Sequence, residues 1–356
     1  MLSNVSSVTS DERKQLRMIP CASCNARAFV SGDLPPLSTV LCSKCNQPIM
    51  IPMRLRQFEL RAVIASGGMG TVYRSYDLAL EREVALKVMK AEMAAEPMAL
   101  ESFYREARAC ASLNHTNIIH IYTFDEQDGQ KYLVMELADR GSLDSRIDTQ
   151  KRLPELDVLD VGEKVASALN LALKHGFLHR DIKPGNILFN ADNEPKLIDF
   201  GLARKAEAEH NPEEGIWGTP YYVAPEKIKR EAETFLSDLY SLGGTLYHAL
   251  TGHVPFEADT AEEVVYAHVH TPLTPPNEVV PEISQACSDA LVRAMAKEPA
   301  ERFQTYDEFI MALTLARSAL LIRQSTEAGA GTEGEALDEQ VALPAAKTGK
   351  ASWWRR

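Results

Sequence analysis

Two C-x-x-C pairs, Cys21/Cys24 and Cys42/Cys45, are separated by seventeen residues and limit the local fold more tightly than anything else in the sequence. Each pair makes a tight knuckle that points two sulfurs at one place. Two knuckles joined through a hairpin give the tetrahedral S4 set that Zn2+ prefers. A segment of about 30 residues cannot fold on its apolar area alone, so a metal would supply the missing stabilisation. A redox pair and four unrelated buried thiols are the competing readings; the matched spacing favours zinc.

The rest of the chain needs no such clamp. At 356 residues it has room for two or three folding units, and 45% apolar with 25% charged residues is enough for an ordinary packed core. The net charge of -12 argues against non-specific nucleic-acid binding, because an anionic surface repels phosphates. No window offers the roughly 18 uncharged apolar residues that span a bilayer. The best stretch, 311–322, is short and contains Arg317, and residues 1–17 lack the apolar run of a secretory signal. No membrane span is expected, and the cytoplasm is the expected compartment. In a reducing compartment the cysteines read as metal ligands or buried thiols rather than disulfides, with Cys110 and Cys287 as small core residues.

Texture divides the chain. Residues 1–19 are Ser-rich, then charged, and read as a flexible leader; 20–50 form the cysteine module. A strand-like pattern over 58–89 is followed by a helical one over 101–113 and strand-like runs at 118–124 and 131–137. Beyond Asp139 helices are predicted over 155–175, 237–251, 261–269, 284–296 and 305–323, with Gly252 placed to end the second. Residues 324–356 carry little to bury and read as a disordered tail. Strands followed by helices predict an α+β protein of two lobes, 56–138 and 139–323.

Several polar groups fall at informative places in that frame. Ser66-Gly67-Gly68-Met69-Gly70-Thr71-Val72 lies between two strands, and glycines there let backbone amides approach phosphate oxygens; a flexible hairpin is the plainer reading. In 84–88, Val84, Leu86 and Val88 face one side of a strand while Ala85 and Lys87 share the other. On the following helix Phe103, Glu106, Cys110 and Leu113 fall on one stripe, so Glu106 sits among apolar residues and needs a cation, for which Lys87 is the natural partner. Then come His179-Arg180-Asp181-Ile182-Lys183-Pro184-Gly185-Asn186 and, eighteen residues after Asp181, Asp199-Phe200-Gly201.

Glycine loop, strand lysine, helix glutamate, His-Arg-Asp loop, Asp-Phe-Gly and Ala224-Pro225-Glu226, in this order, resemble the protein-kinase family over about 58–303. The cysteine module in turn resembles a zinc ribbon. The kinase resemblance is to the bacterial serine/threonine type. It implies a two-lobed fold, ATP and Mg2+ as cofactors, and proteins bearing Ser or Thr as substrates. It implies that Lys87, oriented by Glu106, holds the α/β-phosphates. It implies that Asp199 and Asn186 hold Mg2+, that Asp181 accepts the proton of the attacking hydroxyl, and that Lys183 steadies the γ-phosphate. The nucleotide site would comprise Ala65, Ser66, Gly67, Gly68, Met69, Gly70, Val72, Ala85, Met135, Glu136 and Ala138, with adenine between Val72 and Ala85, Met135 as gatekeeper and the hinge at 136–138. Thr219 would bond Asp181 and Lys183, Glu226 would pair with Arg302, and Asp238 would anchor the catalytic loop.

The sequence departs from the pattern in three places, one of them Gly244, which falls inside a presumed buried helix where a larger apolar residue is common. Ala65 stands where the first loop glycine is expected. Between Gly201 and Gly218 there is no Ser, Thr or Tyr to accept an activating phosphate. Glu213 or Glu214 pairing with Arg180 would supply a fixed charge instead, unless both belong to a solvated acidic run. The alternatives to a competent kinase are a pseudokinase and a scaffold whose working end is the zinc module, with a protein partner there. The terminal Trp353-Trp354-Arg355-Arg356 reads as a solvated end.

Overall fold

The computed structural model describes residues 16–21, 23–68, 70–200, 204–205 and 220–330, and the chain divides after Arg317 into two compact units. The cysteine module opens the first unit with two hairpins, β1 (Leu16–Pro20) with β2 (Arg27–Ser31) and β3 (Thr39–Leu41) with β4 (Pro48–Met50). Residues 16–19, expected as part of the leader, find a strand partner instead, and the rest of that expectation, 1–15, lies outside the described residues. Each C-x-x-C sits in the turn of one hairpin, and the two turns are built alike. Asn25 N–H donates to the Cys21 carbonyl and Cys21 N–H to Ala26; Asn46 N–H donates to Cys42 and Cys42 N–H to Gln47. Asn25 and Asn46 both take the left-handed conformation (φ 55° and 58°), which asparagine tolerates better than most residues.

The N-lobe sheet follows: β5 (Met53–Leu55), β6 (Phe58–Ser66), β7 (Gly70–Asp77) and β8 (Arg82–Met89), then, after α1 (Ala91–Ala94) and α2 (Pro97–Ser112), β9 (Ile121–Gln127) and β10 (Gln130–Met135). Its order is β5-β6-β7-β8-β10-β9, antiparallel throughout. Two-residue alternation gives this sheet two apolar faces. Leu60, Val84, Leu86, Tyr132 and Val134 form one, and the module's Leu37 and Met50 pack onto it. Ile49 and Ile51, the neighbours of Met50, turn into the module's own core beside Cys21 and Cys42. Met89 and Leu133 form the opposite face and meet Phe103 and Ala107 of α2.

The C-lobe contains α3 (Leu143–Gln150), α4 (Glu155–Lys174), the short strands β11 (Phe177–Leu178), β12 (Ile187–Phe189), β13 (Pro195–Leu197) and β14 (Arg204–Lys205), then α5 (Pro225–Ile228), α6 (Phe235–Thr251), α7 (Ala261–His270), α8 (Pro276–Val279), α9 (Gln285–Ala294) and α10 (Tyr306–Ala330). α4 and α6 are its centre, burying among others Val161, Val165, Ala168, Leu239, Leu242 and Leu246. Gly252, at φ 77°, ends α6 as the sequence predicted. The last helix continues to Ala330, beyond the expected end at 323, since no glycine or proline interrupts the chain before Gly329. Among the described residues no helix is long and apolar enough to cross a membrane.

One ion pair ties α5 to the loop before α10. Arg302, fully buried, donates through both terminal nitrogens to the two Glu226 oxygens at 2.8 Å each, and Ser237 donates to the same carboxylate at 2.6 Å. Burial pushes the Glu226 pKa up, but the Arg302 bonds and charge outweigh it, leaving the group below its ordinary value. Its contribution is therefore present above the ordinary carboxylate pKa and is lost as pH falls through the lowered one. Glu226→Gln is expected to cost about 3–5 kcal/mol in urea unfolding at neutral pH, because it leaves a buried guanidinium uncompensated. A loss within the error of the fit would show that the pair carries no such weight.

Candidate active site

The site is assembled where the sheet, the 177–199 segment and α6 meet. Its floor is the loop after β11. Asp238, buried at the start of α6, accepts the backbone N–H of His179 and of Arg180, both at 2.7 Å. Burial raises the Asp238 pKa, with His179 and the two N–H donors opposing it. The loop needs this anchor because Arg180 is held at φ 70°, a region that a side chain with a Cβ seldom occupies. His179 is itself fully buried. One ring nitrogen lies 2.9 Å from the Ile198 carbonyl and the ring meets Phe200 edge-on at 4.6 Å, so this histidine joins the loop to the Asp199 segment.

Asp181 follows, with its carboxylate largely shielded. Lys183 Nζ donates to Oδ2 at 2.7 Å, and Asn186 Nδ2 donates to the same oxygen at 2.9 Å and to the Asp181 carbonyl at 2.8 Å. Asn186 thus uses its amide nitrogen on Asp181 and keeps its amide oxygen for another ligand. Its carbonyl accepts from Ile198 N–H at 3.0 Å, which brings the Asp199 strand beside the loop. Asp199 takes φ 67°. Asp181, Lys183 and Asn186 are therefore brought together, and Asp199 is brought to their neighbourhood through the backbone.

The opposite wall comes from the sheet. On β8, Ala85 is buried and Lys87 half-buried, its ammonium 5.8 Å from the Phe103 ring centre, while Val84 and Leu86 face away as the alternation predicts. The side chain of Glu106 lies outside the described residues, as do Met69, Thr219, Glu213 and Glu214. Ala65 and Ser66 end β6, paired with Val72 and Thr71 of β7. Gly67 N–H donates to the Gly70 carbonyl at 2.9 Å, closing a tight turn, and a Cβ on Gly70 would lie 2.5 Å from the Val88 carbonyl oxygen. Position 70 thus excludes any side chain. Met135 ends β10 and faces the C-lobe core; Ala138 is buried. Glu136, expected only as a backbone hinge position, also carries an ion pair to the buried Lys196 at 2.6 Å.

Such a site can hold a polyphosphate under a glycine turn and a lysine, and a hydroxyl beside a carboxylate whose oxygen is shared by a lysine and an asparagine. Three of its supports escaped the sequence reading. Lys196 was invisible because its partner is sixty residues away. Lys227 and Glu233 belong to no motif, and only the fold brings them to Arg180.

Comparison with known proteins agrees with the geometry. The family model for the protein kinase domain matches residues 58–312. The serine/threonine-protein kinase PknB of Mycobacterium leprae is 34% identical over 258 residues, which is 71% of this chain and 42% of that protein. The probable serine/threonine-protein kinase PknB of Bifidobacterium longum is 36% identical over 265 residues, 71% of this chain and 38% of that protein. PknB of Mycobacterium tuberculosis is 35% identical over 259 residues, 71% and 41%. The chain thus spans between 38% and 42% of the length of these relatives.

Because Asp238 alone holds two N–H donors of the strained loop, Asp238→Ala should destabilise the protein by about 2–5 kcal/mol in urea unfolding. A midpoint and slope equal to wild type would show that the loop is held otherwise.

Proposed function

The chain belongs to the protein kinase family, and from that premise we propose that it transfers the γ-phosphoryl group of ATP to Ser or Thr hydroxyls of proteins. The observation that carries the reading is the Asp181 carboxylate, fixed by Lys183 and Asn186 within one turn of chain and joined through His179 and Ile198 to Asp199. The names of the relatives and the lysine two residues beyond Asp181 support Ser/Thr over Tyr. Phosphoryl transfer asks a protein for position and charge rather than covalent help. Asp181 orients the substrate hydroxyl and takes its proton as the oxygen–phosphorus bond forms and ADP leaves. Lys183 offsets charge on the moving phosphoryl group. Lys87, which the family pattern has oriented by Glu106, and the 65–70 turn hold the remaining phosphates; Val72, Ala85, Met135 and the 136–138 hinge receive the base. The free amide oxygen of Asn186 and the carboxylate of Asp199 are the hard oxygen donors that suit Mg2+, which would neutralise phosphate charge. A nucleotide-binding scaffold without transfer is the weaker reading, since the acceptor, both magnesium donors and both lysines are present. The cytoplasm is the compartment proposed, since cysteines spaced as metal ligands suit a reducing environment.

The module is proposed to hold structural zinc. Its four sulfurs all lie within 4.8 Å of one another, with Cys21–Cys45 at 3.6 Å and Cys24–Cys42 at 3.7 Å. Tetrahedral Zn–S bonds of about 2.3 Å require sulfurs about 3.8 Å apart, so the cage has the right size. Leu37 and Met50 engage the N-lobe sheet, which supports a bracing role over capture of a separate protein partner.

Asp181→Asn should lower transfer to a generic protein substrate by about a thousand-fold or more while ATP binding changes little. A variant as active as wild type would refute the assignment of Asp181. Protein purified from zinc-replete medium should carry stoichiometric zinc, and Cys21→Ser/Cys42→Ser should lose the metal and melt at lower temperature. Four freely titrating thiols in metal-free wild type would sink the zinc reading.

A further inference from the structure

Arg180, the residue immediately before the proton acceptor, is gripped at three points. Asp238 takes its N–H, Lys227 Nζ donates to its carbonyl at 3.1 Å, and its guanidinium forks onto Glu233. Nη2 meets Glu233 Oε1 at 2.6 Å, and Nε lies 3.2 Å from each carboxylate oxygen. Both side chains are almost closed to water, 11% and 12% exposed, which separates this contact from the solvated surface pairs elsewhere. Lys227 Nζ also approaches Glu233 Oε2 at 4.0 Å. Among the described residues, Glu233 is the carboxylate that meets the Arg180 guanidinium, and Lys227 approaches the same carboxylate. The segment 202–217 offers no hydroxyl on which a phosphate could be placed.

We propose that Glu233 is a built-in positioning residue. Its carboxylate does for Arg180 what a phosphate on the activation segment would do, holding the left-handed turn at 180 and hence the direction of Asp181, so that transfer proceeds without phosphorylation of that segment. The proposal rests on the phosphotransferase reading above. It replaces a phosphate's two charges and its fork of oxygens with one largely shielded, forked carboxylate, the geometry that guanidinium matches best. Arg180 has a further interaction beyond these, and Glu213 and Glu214, which lie outside the described residues, are retained from the sequence as the competing source of charge.

The test compares phosphatase-treated and untreated wild type, Glu233→Gln, Glu233→Asp and Glu213→Gln/Glu214→Gln in steady-state transfer to a generic substrate. Treated wild type should keep its rate within about two-fold. Glu233→Gln should lose about ten- to hundred-fold in kcat, with KM for ATP within about two-fold and a melting point within about 5 °C, as expected when a reacting group is misaimed and the nucleotide site is intact. Glu233→Asp should recover most of the rate, and the Glu213/Glu214 variant should lose little. A Glu233→Gln enzyme with wild-type kcat overturns the proposal, as does a large loss confined to the Glu213/Glu214 variant. Should Glu233→Gln not fold, Arg180→Gln/Glu233→Gln, which removes both charges together, takes its place under the same criteria. Wild type that is active before phosphatase and inactive after it refutes this role alone. Untreated wild type that transfers nothing refutes the phosphotransferase reading and this role together.

Discussion

A single buried carboxylate organises the reactive end of this molecule. Asp238 sits at the first turn of α6 and receives two N–H groups from the loop that carries Asp181. The acceptor offsets the cost of a left-handed backbone at residue 180. Once Asp238 has set the loop, the rest follows by short links. His179 is buried against Phe200, Asp181 is placed for Lys183 and Asn186, and the Asn186 carbonyl draws in the strand leading to Asp199.

That anchor depends in turn on a rigid C-lobe. α6 is buried along most of its length against α4, and the helix that follows residue 222 is locked by the Glu226–Arg302 fork. The charged stretch 227–233 leaves this lock and returns to the Asp181 loop through Lys227 and Glu233. Two shielded ion pairs, Glu226–Arg302 and Glu233–Arg180, therefore share one short segment. The N-lobe is braced differently: its sheet has two apolar faces, and the cysteine module covers part of the face that α2 does not. A small module that cannot fold on its own area and a sheet with an uncovered face solve each other's problem.

Much of the fold was legible in advance. The strand pattern over 58–89, the helices at 155–175 and 237–251 and the stop at Gly252 are local signals, and they appear within a few residues of their predicted bounds. The two knuckles were legible because spacing alone brings sulfurs together. The boundaries were less so: Leu16–Pro20 looked like leader until a partner strand claimed it, and α10 ran past its apolar pattern because nothing in the chain stopped it. The ion pairs of Glu136, Lys196, Lys227 and Glu233 carry no local signal, because their partners lie far along the chain or in a different element.

The sequence by itself determined which chemical groups the chain owns and their order along it: four thiols at knuckle spacing, a glycine turn, a strand lysine, and the Asp181, Asn186 and Asp199 set, with no hydroxyl over 202–217. Those are properties of spacing and of side-chain type, which need no fold to be read. Only the tertiary structure decided which charges face one another. Arg180 and Glu233 are fifty-three residues apart, and Glu226 and Arg302 seventy-six. Attraction between charges depends on distance through space and on exclusion of water, and neither is written in the spacing of residues along a chain.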